Sequence, residues 1–112
     1  EADAYDGSSI IIAYANCIAH GINMTKGLVA QKNAVESGHF PLYRFNPDRE
    51  KDGKNPFQLD SKTPGMKYSE AAMEENRFRV LKQTNPENAK RLMEKADKLV
   101  AARYEFYQKL LG

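Results

Sequence analysis

Ile10-Ile11-Ile12-Ala13-Tyr14-Ala15-Asn16-Cys17-Ile18-Ala19-His20-Gly21 is the stretch on which the reading of this chain turns. Its first five residues form a continuous apolar run, and the run leads straight to the single cysteine of the protein. An unbroken isoleucine-rich run of this length fits a strand buried on both faces, as in parallel sheets covered by helices. In such sheets ligands gather just past the carboxyl ends of the strands, which is where Cys17 stands. The expected fold class is therefore α/β. One cysteine makes no intramolecular disulfide, which leaves packing, nucleophilic chemistry or metal ligation as its uses.

Upstream of the run, Glu1-Ala2-Asp3-Ala4-Tyr5 reads as the last turn of a helix, and Asp6-Gly7-Ser8-Ser9 as a turn into the strand. The chain is expected to be the tail of something longer. Downstream, Asn23 to Ser37 reads as a helix with Met24, Leu28, Ala34 and Val35 on one face, closed by Gly38. From His39 to Thr63 prolines punctuate the chain. Leu42-Tyr43-Arg44-Phe45 and Phe57-Gln58-Leu59 are short extended pieces flanked by Pro41, Pro47 and Pro56, the pattern of edge strands or of an extended crossing. Ser69 to Gln83 then predicts a helix with Met73, Arg77, Val80 and Leu81 on one stripe. Thr84-Asn85-Pro86-Glu87 is a helix start, with a cap at Thr84 or Asn85 and Glu87 placed for a capping box. From Ala89 to Leu111 the apolar residues keep helical period for roughly seven turns.

The 112 residues bound one modest domain. Seventeen basic and fifteen acidic residues leave a net charge of +2. They are interspersed, as in Asp48-Arg49-Glu50-Lys51-Asp52, which describes a solvated mixed surface and argues against a nucleic-acid face. No apolar run approaches the ~20 residues that span a bilayer, and a single cysteine suits a reducing compartment.

On spacing alone nothing forms a complete active site. Cys17 could be a buried small hydrophobe, half of a C-x-x-H zinc site with His20, or the nucleophile of a Cys–His pair. A structural zinc needs four ligands, and only His39 remains as another histidine or cysteine donor. Gly21 to Gly27 lacks the residue order of a phosphate loop. Arg44, between Tyr43 and Phe45, could bind an anion or stack on an aromatic ring, though an edge-strand arginine is usually a solvated or salt-bridged surface residue. Tyr104, Phe106 and Tyr107 read as a packing face.

The combined pattern resembles the C-terminal part of the pyruvate:ferredoxin (flavodoxin) oxidoreductases. The residues that carry the resemblance are Ile10 to Tyr14 with Cys17-Ile18-Ala19-His20-Gly21, then Val35 to Pro47, Gly53-Lys54-Asn55-Pro56-Phe57-Gln58-Leu59-Asp60-Ser61-Lys62, Glu75-Asn76-Arg77-Phe78 and Arg103 to Tyr107. The resemblance implies oxidative decarboxylation of pyruvate with coenzyme A to acetyl-CoA and carbon dioxide. Electrons would leave through [4Fe–4S] clusters to ferredoxin or flavodoxin, with thiamine diphosphate and Mg2+ held mainly by upstream residues. It implies that Cys17 is the last ligand of the cluster nearest the thiamine, while His20 is not a ligand. It further implies that residues 1–63 end a doubly wound thiamine-diphosphate-binding domain (last core strand, helix, extended crossing) and that 64–112 form a helical C-terminal extension. The rest of the same polypeptide would be a partner, the full enzyme a homodimer in the cytoplasm, and this chain alone inactive. Gly7-Ser8-Ser9 departs from the family's usual Gly-Pro-Ser, and Ala71-Ala72 from bulkier residues. A sister 2-oxoacid or NADP-linked oxidoreductase fits the same residues. A different class also remains: a stand-alone helical module or orphan remnant, binding a partner through the Leu92 to Leu111 stripe.

Overall fold

The computed structural model describes every residue from Glu1 to Gly112. Its longest element, α4 (Pro86–Lys109), starts where Asn85 accepts a hydrogen bond from the Asn88 N–H at 3.1 Å, with Pro86 in the first turn. The capping box expected from Thr84 and Glu87 does not form. The Thr84 hydroxyl instead donates back to the Val80 carbonyl at 2.9 Å and finishes the preceding helix. Along α4, Ala89 and Tyr104 are buried and Met93, Ala96, Val100 and Tyr107 half-buried, one face at helical spacing.

That face receives two short helices, α2 (Tyr68–Ala72) and α3 (Asn76–Thr84). The sequence predicts a single helix over Ser69–Gln83; the structure breaks it at Met73–Glu75, where Glu75 leaves helical geometry with φ −90° and ψ 124°. Splitting the segment lets each half lie against α4 and seats Ala72, only 1% exposed, in the interior. Asp97 of α4 accepts from both the N–H and the hydroxyl of Ser69, at 2.8 and 2.7 Å, satisfying free donors at the start of α2.

Helix α1 (Gly27–Glu36) follows a 3₁₀ turn at Met24–Lys26. It is shorter than expected and buries Ala34, whereas Leu28 stays 83% exposed. Its end is as read: Gly38 takes φ +75°, and a Cβ there would meet Pro64 at 2.9 Å and Val100 at 3.2 Å. The two extended pieces pair with each other as an antiparallel ribbon, β1 (Tyr43–Phe45) and β2 (Phe57–Leu59), with Arg44 opposite Gln58. Phe57 and Tyr43 pack on Tyr107, and Asn55 donates to the Leu110 carbonyl at 2.8 Å, so the ribbon covers the carboxyl end of α4.

The doubly wound parallel sheet is not formed within this chain. Ile10–Tyr14 belongs to no sheet, and Ile10, Ile11 and Ile12 are 87, 79 and 74% exposed. A parallel strand needs neighbouring strands on its edges and helices on its faces, and these 112 residues supply only the antiparallel ribbon. Mixed helix and small sheet is what the chain itself builds.

Candidate functional site

Cys17 stands where the exposed isoleucine segment ends. Its backbone is extended, φ −133° and ψ 142°, and it caps a 3₁₀ turn over Ile18–His20. The His20 N–H donates to the Cys17 carbonyl at 3.1 Å, and Gly21 closes the turn in the left-handed region at φ +73°. Gly21 is required twice over. Its φ is strained for any side chain, and a Cβ would lie 2.4 Å from the Asn76 Cβ. The Gly21 carbonyl in turn accepts from the Asn76 N–H at 3.2 Å, which docks the turn on the start of α3. On the other side, the Asn16 amide lies against Gly27, where a Cβ would come within 2.9 Å of it, and the same amide contacts the Met24 sulfur at 3.8 Å.

The thiol is free and exposed, so the buried-hydrophobe reading of Cys17 does not hold in this chain. The zinc reading fails as well. No three His, Cys, Asp or Glu side chains gather to hold a metal ion. His39 is stacked on Tyr68 at 4.5 Å and meets Tyr14 edge-on, away from any donor set. One accessible thiol does not by itself make a complete metal site.

Behind the turn lies a buried polar cluster that sequence reasoning gave no role. Glu75 is 8% exposed. Its Oε2 accepts from the Arg77 guanidinium and lies 3.9 Å from His20 Nδ1, a buried nitrogen that makes no hydrogen bond. Arg77 also sits 4.7 Å over the Phe78 ring. Tyr14, His39, Tyr68, Ala34, Ala72 and Glu75 are among the residues around a cavity of about 20 Å³, room for one water. Burial, then the Glu75 carboxylate, pushes the Tyr14 and Tyr68 hydroxyls up. Burial, then Arg103, pushes the His39 imidazole down. The only sequence signal for this cluster was the run Glu75-Asn76-Arg77-Phe78 within the family resemblance.

Arg44 takes the surface-pair reading. Asp60 accepts from its guanidinium through both oxygens at 2.8 Å and Glu1 at 2.9 Å, so its charge is answered within the chain. These bonds raise the arginine pKa, and Arg44 lowers that of Asp60. Tyr104 and Tyr107 pack inside the molecule, while Phe106 points outward, 56% exposed. No helix is long and apolar enough to cross a membrane.

No protein-family model matches the chain. Curated proteins do. The chain is 53% identical over 110 residues, 98% of its length, to a pyruvate-flavodoxin oxidoreductase of Nostoc sp., and 52% identical over 110 residues to a pyruvate:ferredoxin oxidoreductase of Moorella thermoacetica. It is 40% identical over 113 residues to a mitochondrial NADP(+) pyruvate dehydrogenase of Euglena gracilis. It spans 9% of the length of the first two and 6% of the third.

Proposed function

Because the chain is homologous, over nearly its whole length, to one segment of the pyruvate-flavodoxin and pyruvate:ferredoxin oxidoreductases, we propose that it is the C-terminal part of such an enzyme. The enzyme would oxidatively decarboxylate pyruvate with coenzyme A to acetyl-CoA and carbon dioxide, and pass electrons through [4Fe–4S] clusters to ferredoxin or flavodoxin. The observation that carries this reading is the 52–53% identity to enzymes of those names over 98% of the chain.

Within that reading Cys17 binds one iron of the cluster nearest the thiamine diphosphate, and the other ligands come from the rest of the polypeptide. The cluster, when bound, supplies single-electron uptake and release. What this chain contributes is the thiolate, its presentation at the tip of a 3₁₀ turn, and the exposed Ile10–Ile12 segment, which would lie against the remaining protein as the last strand of the thiamine domain. Residues 1–63 then close that domain and 64–112 extend it. The thiamine and its Mg2+ are held by residues outside this chain.

Cys17→Ala in the full-length enzyme tests the ligand role. Iron should fall by one cluster, about four atoms per chain, with thiamine binding retained and ferredoxin or flavodoxin reduction down roughly 100-fold or more. A full iron count with unchanged turnover sinks the assignment. The match to the Euglena gracilis protein favours a second reading for the acceptor, an NADP-linked fusion; acceptor assays on the same preparation separate the two.

A further inference from the structure

We propose that Glu75 is a positioning residue for the Cys17 thiol, acting through His20 and the start of α3. The proposal rests on the reading of Cys17 as a cluster ligand and adds to it the device that fixes where the sulfur stands.

Cys17 has little of its own to hold it. Its thiol is exposed and unpaired, and the isoleucine segment before it makes no strand. Its position is therefore set by the turn that follows, Ile18 to Gly21, and by what that turn touches. The turn is docked at two adjacent points of the α2–α3 junction. The Gly21 carbonyl accepts from the Asn76 N–H, and His20 Nδ1 meets the Glu75 carboxylate at 3.9 Å.

The second contact brings two buried polar groups face to face. A carboxylate 8% exposed, and a buried imidazole nitrogen with no hydrogen-bond partner, are each unfavourable in isolation. They face each other at 3.9 Å, in contact though beyond hydrogen-bond length, while Arg77 donates to the same carboxylate oxygen. Glu75 also sits where the expected helix breaks, in extended geometry. The break turns its side chain inward while leaving the Asn76 N–H free for Gly21. The proposal puts the weight on reach: a side chain of the length of Glu75 spans to 3.9 Å from His20 Nδ1, and a shorter one opens that contact. Arg77 is half-exposed and can be answered by water, whereas the buried His20 Nδ1 has only Glu75 beside it.

Two variants of the full-length enzyme separate reach from charge. Glu75→Asp keeps the charge and withdraws the oxygens by one methylene; Glu75→Gln keeps the reach and loses the charge. The readouts are amide hydrogen exchange across Cys17–Gly21, iron content, and the electron paramagnetic resonance spectrum of the reduced clusters. Glu75→Asp should raise exchange in Cys17–Gly21 about tenfold, leave exchange in α4 and the iron content unchanged, and shift the cluster spectrum. Glu75→Gln should stay near wild type in all three. The proposal is overturned if Glu75→Asp leaves Cys17–Gly21 exchange at the wild-type level, if Glu75→Gln perturbs more than Glu75→Asp, or if exchange rises equally in α4. The exchange measurement does not depend on the cluster. A Cys17→Ala enzyme that retains all its iron therefore defeats the ligand reading alone, and Glu75 is still decided.

Discussion

His39 carries the clearest pH signature in the chain. It stacks on Tyr68, and Arg103 of α4 is bonded to its backbone carbonyl and to that of Gly38. Burial first, then Arg103 and Arg77, lower its pKa from the ordinary 6.5, with Glu75 opposing. A lowered folded-state value means that the unfolded chain binds the extra proton first as pH falls. Stability from this site is then complete above about 6.5 and is lost as pH falls through the folded-state value. Thermal unfolding of the chain between pH 5 and 8 should show the midpoint dropping below pH 6.5. His39→Gln should flatten that slope. An equal slope in both would remove His39 as the cause. At this scale the sequence was readable only in part. Cys17 announced itself as the single cysteine, and Gly38 as a helix end. Glu75 did not, because what gives it meaning is His20, folded back from near the other end of the chain, and no local pattern marks such a pair.

Among the elements, the start of α4 is where sequence and structure differ most usefully. Thr84-Asn85-Pro86-Glu87 permits either of two caps, and the two predict different sensitivities. Since the Asn85 side chain holds the Asn88 N–H while Thr84 bonds backward, Asn85→Ala should cost about 1 kcal/mol of stability. Thr84→Ala should cost less, having no part in the α4 cap. Chemical denaturation of the two variants ranks them, and a larger loss for Thr84→Ala would reverse the assignment. Helix α4 was legible because its apolar residues keep one period for 24 residues and because Pro86 fixes its start. The β1 and β2 segments were legible as extended pieces but not as partners. Their pairing is decided by register across the Pro47–Asp52 turn, and that turn carries no two-residue hairpin signal. The break between α2 and α3 was illegible, since Ser69–Gln83 contains no proline or glycine to announce it. It comes from packing on α4.

As a whole the molecule shows more surface than a chain of its mass should keep. Its accessible area is 8200 Å², against about 6,200 Å² for a compact monomer of 12.7 kDa. Its radius of gyration is 17.0 Å, against about 13 Å. Part of the excess is elongation, 55 × 29 × 20 Å. Part of it is chemical: Ile10, Ile11, Ile12, Ile18 and Leu28 are each more than 70% exposed. Isoleucines in such numbers are mostly interior residues, and the chain covers 9% of the length of relatives with ample protein to bury them. The parallel strand expected at Ile10–Tyr14 does not form here, because these residues supply no strand to pair with it. That reasoning separates two preparations. In the 112-residue chain, Ile11→Ala removes contacts that scarcely exist and should change stability by no more than about 0.5 kcal/mol. In the full-length enzyme, where the segment would be covered on both faces, the same change should cost about 2–5 kcal/mol. Denaturation of both preparations gives the comparison. A small cost in each would mean that the isoleucine run stays on the surface in the assembled enzyme, and the strand reading would go with it.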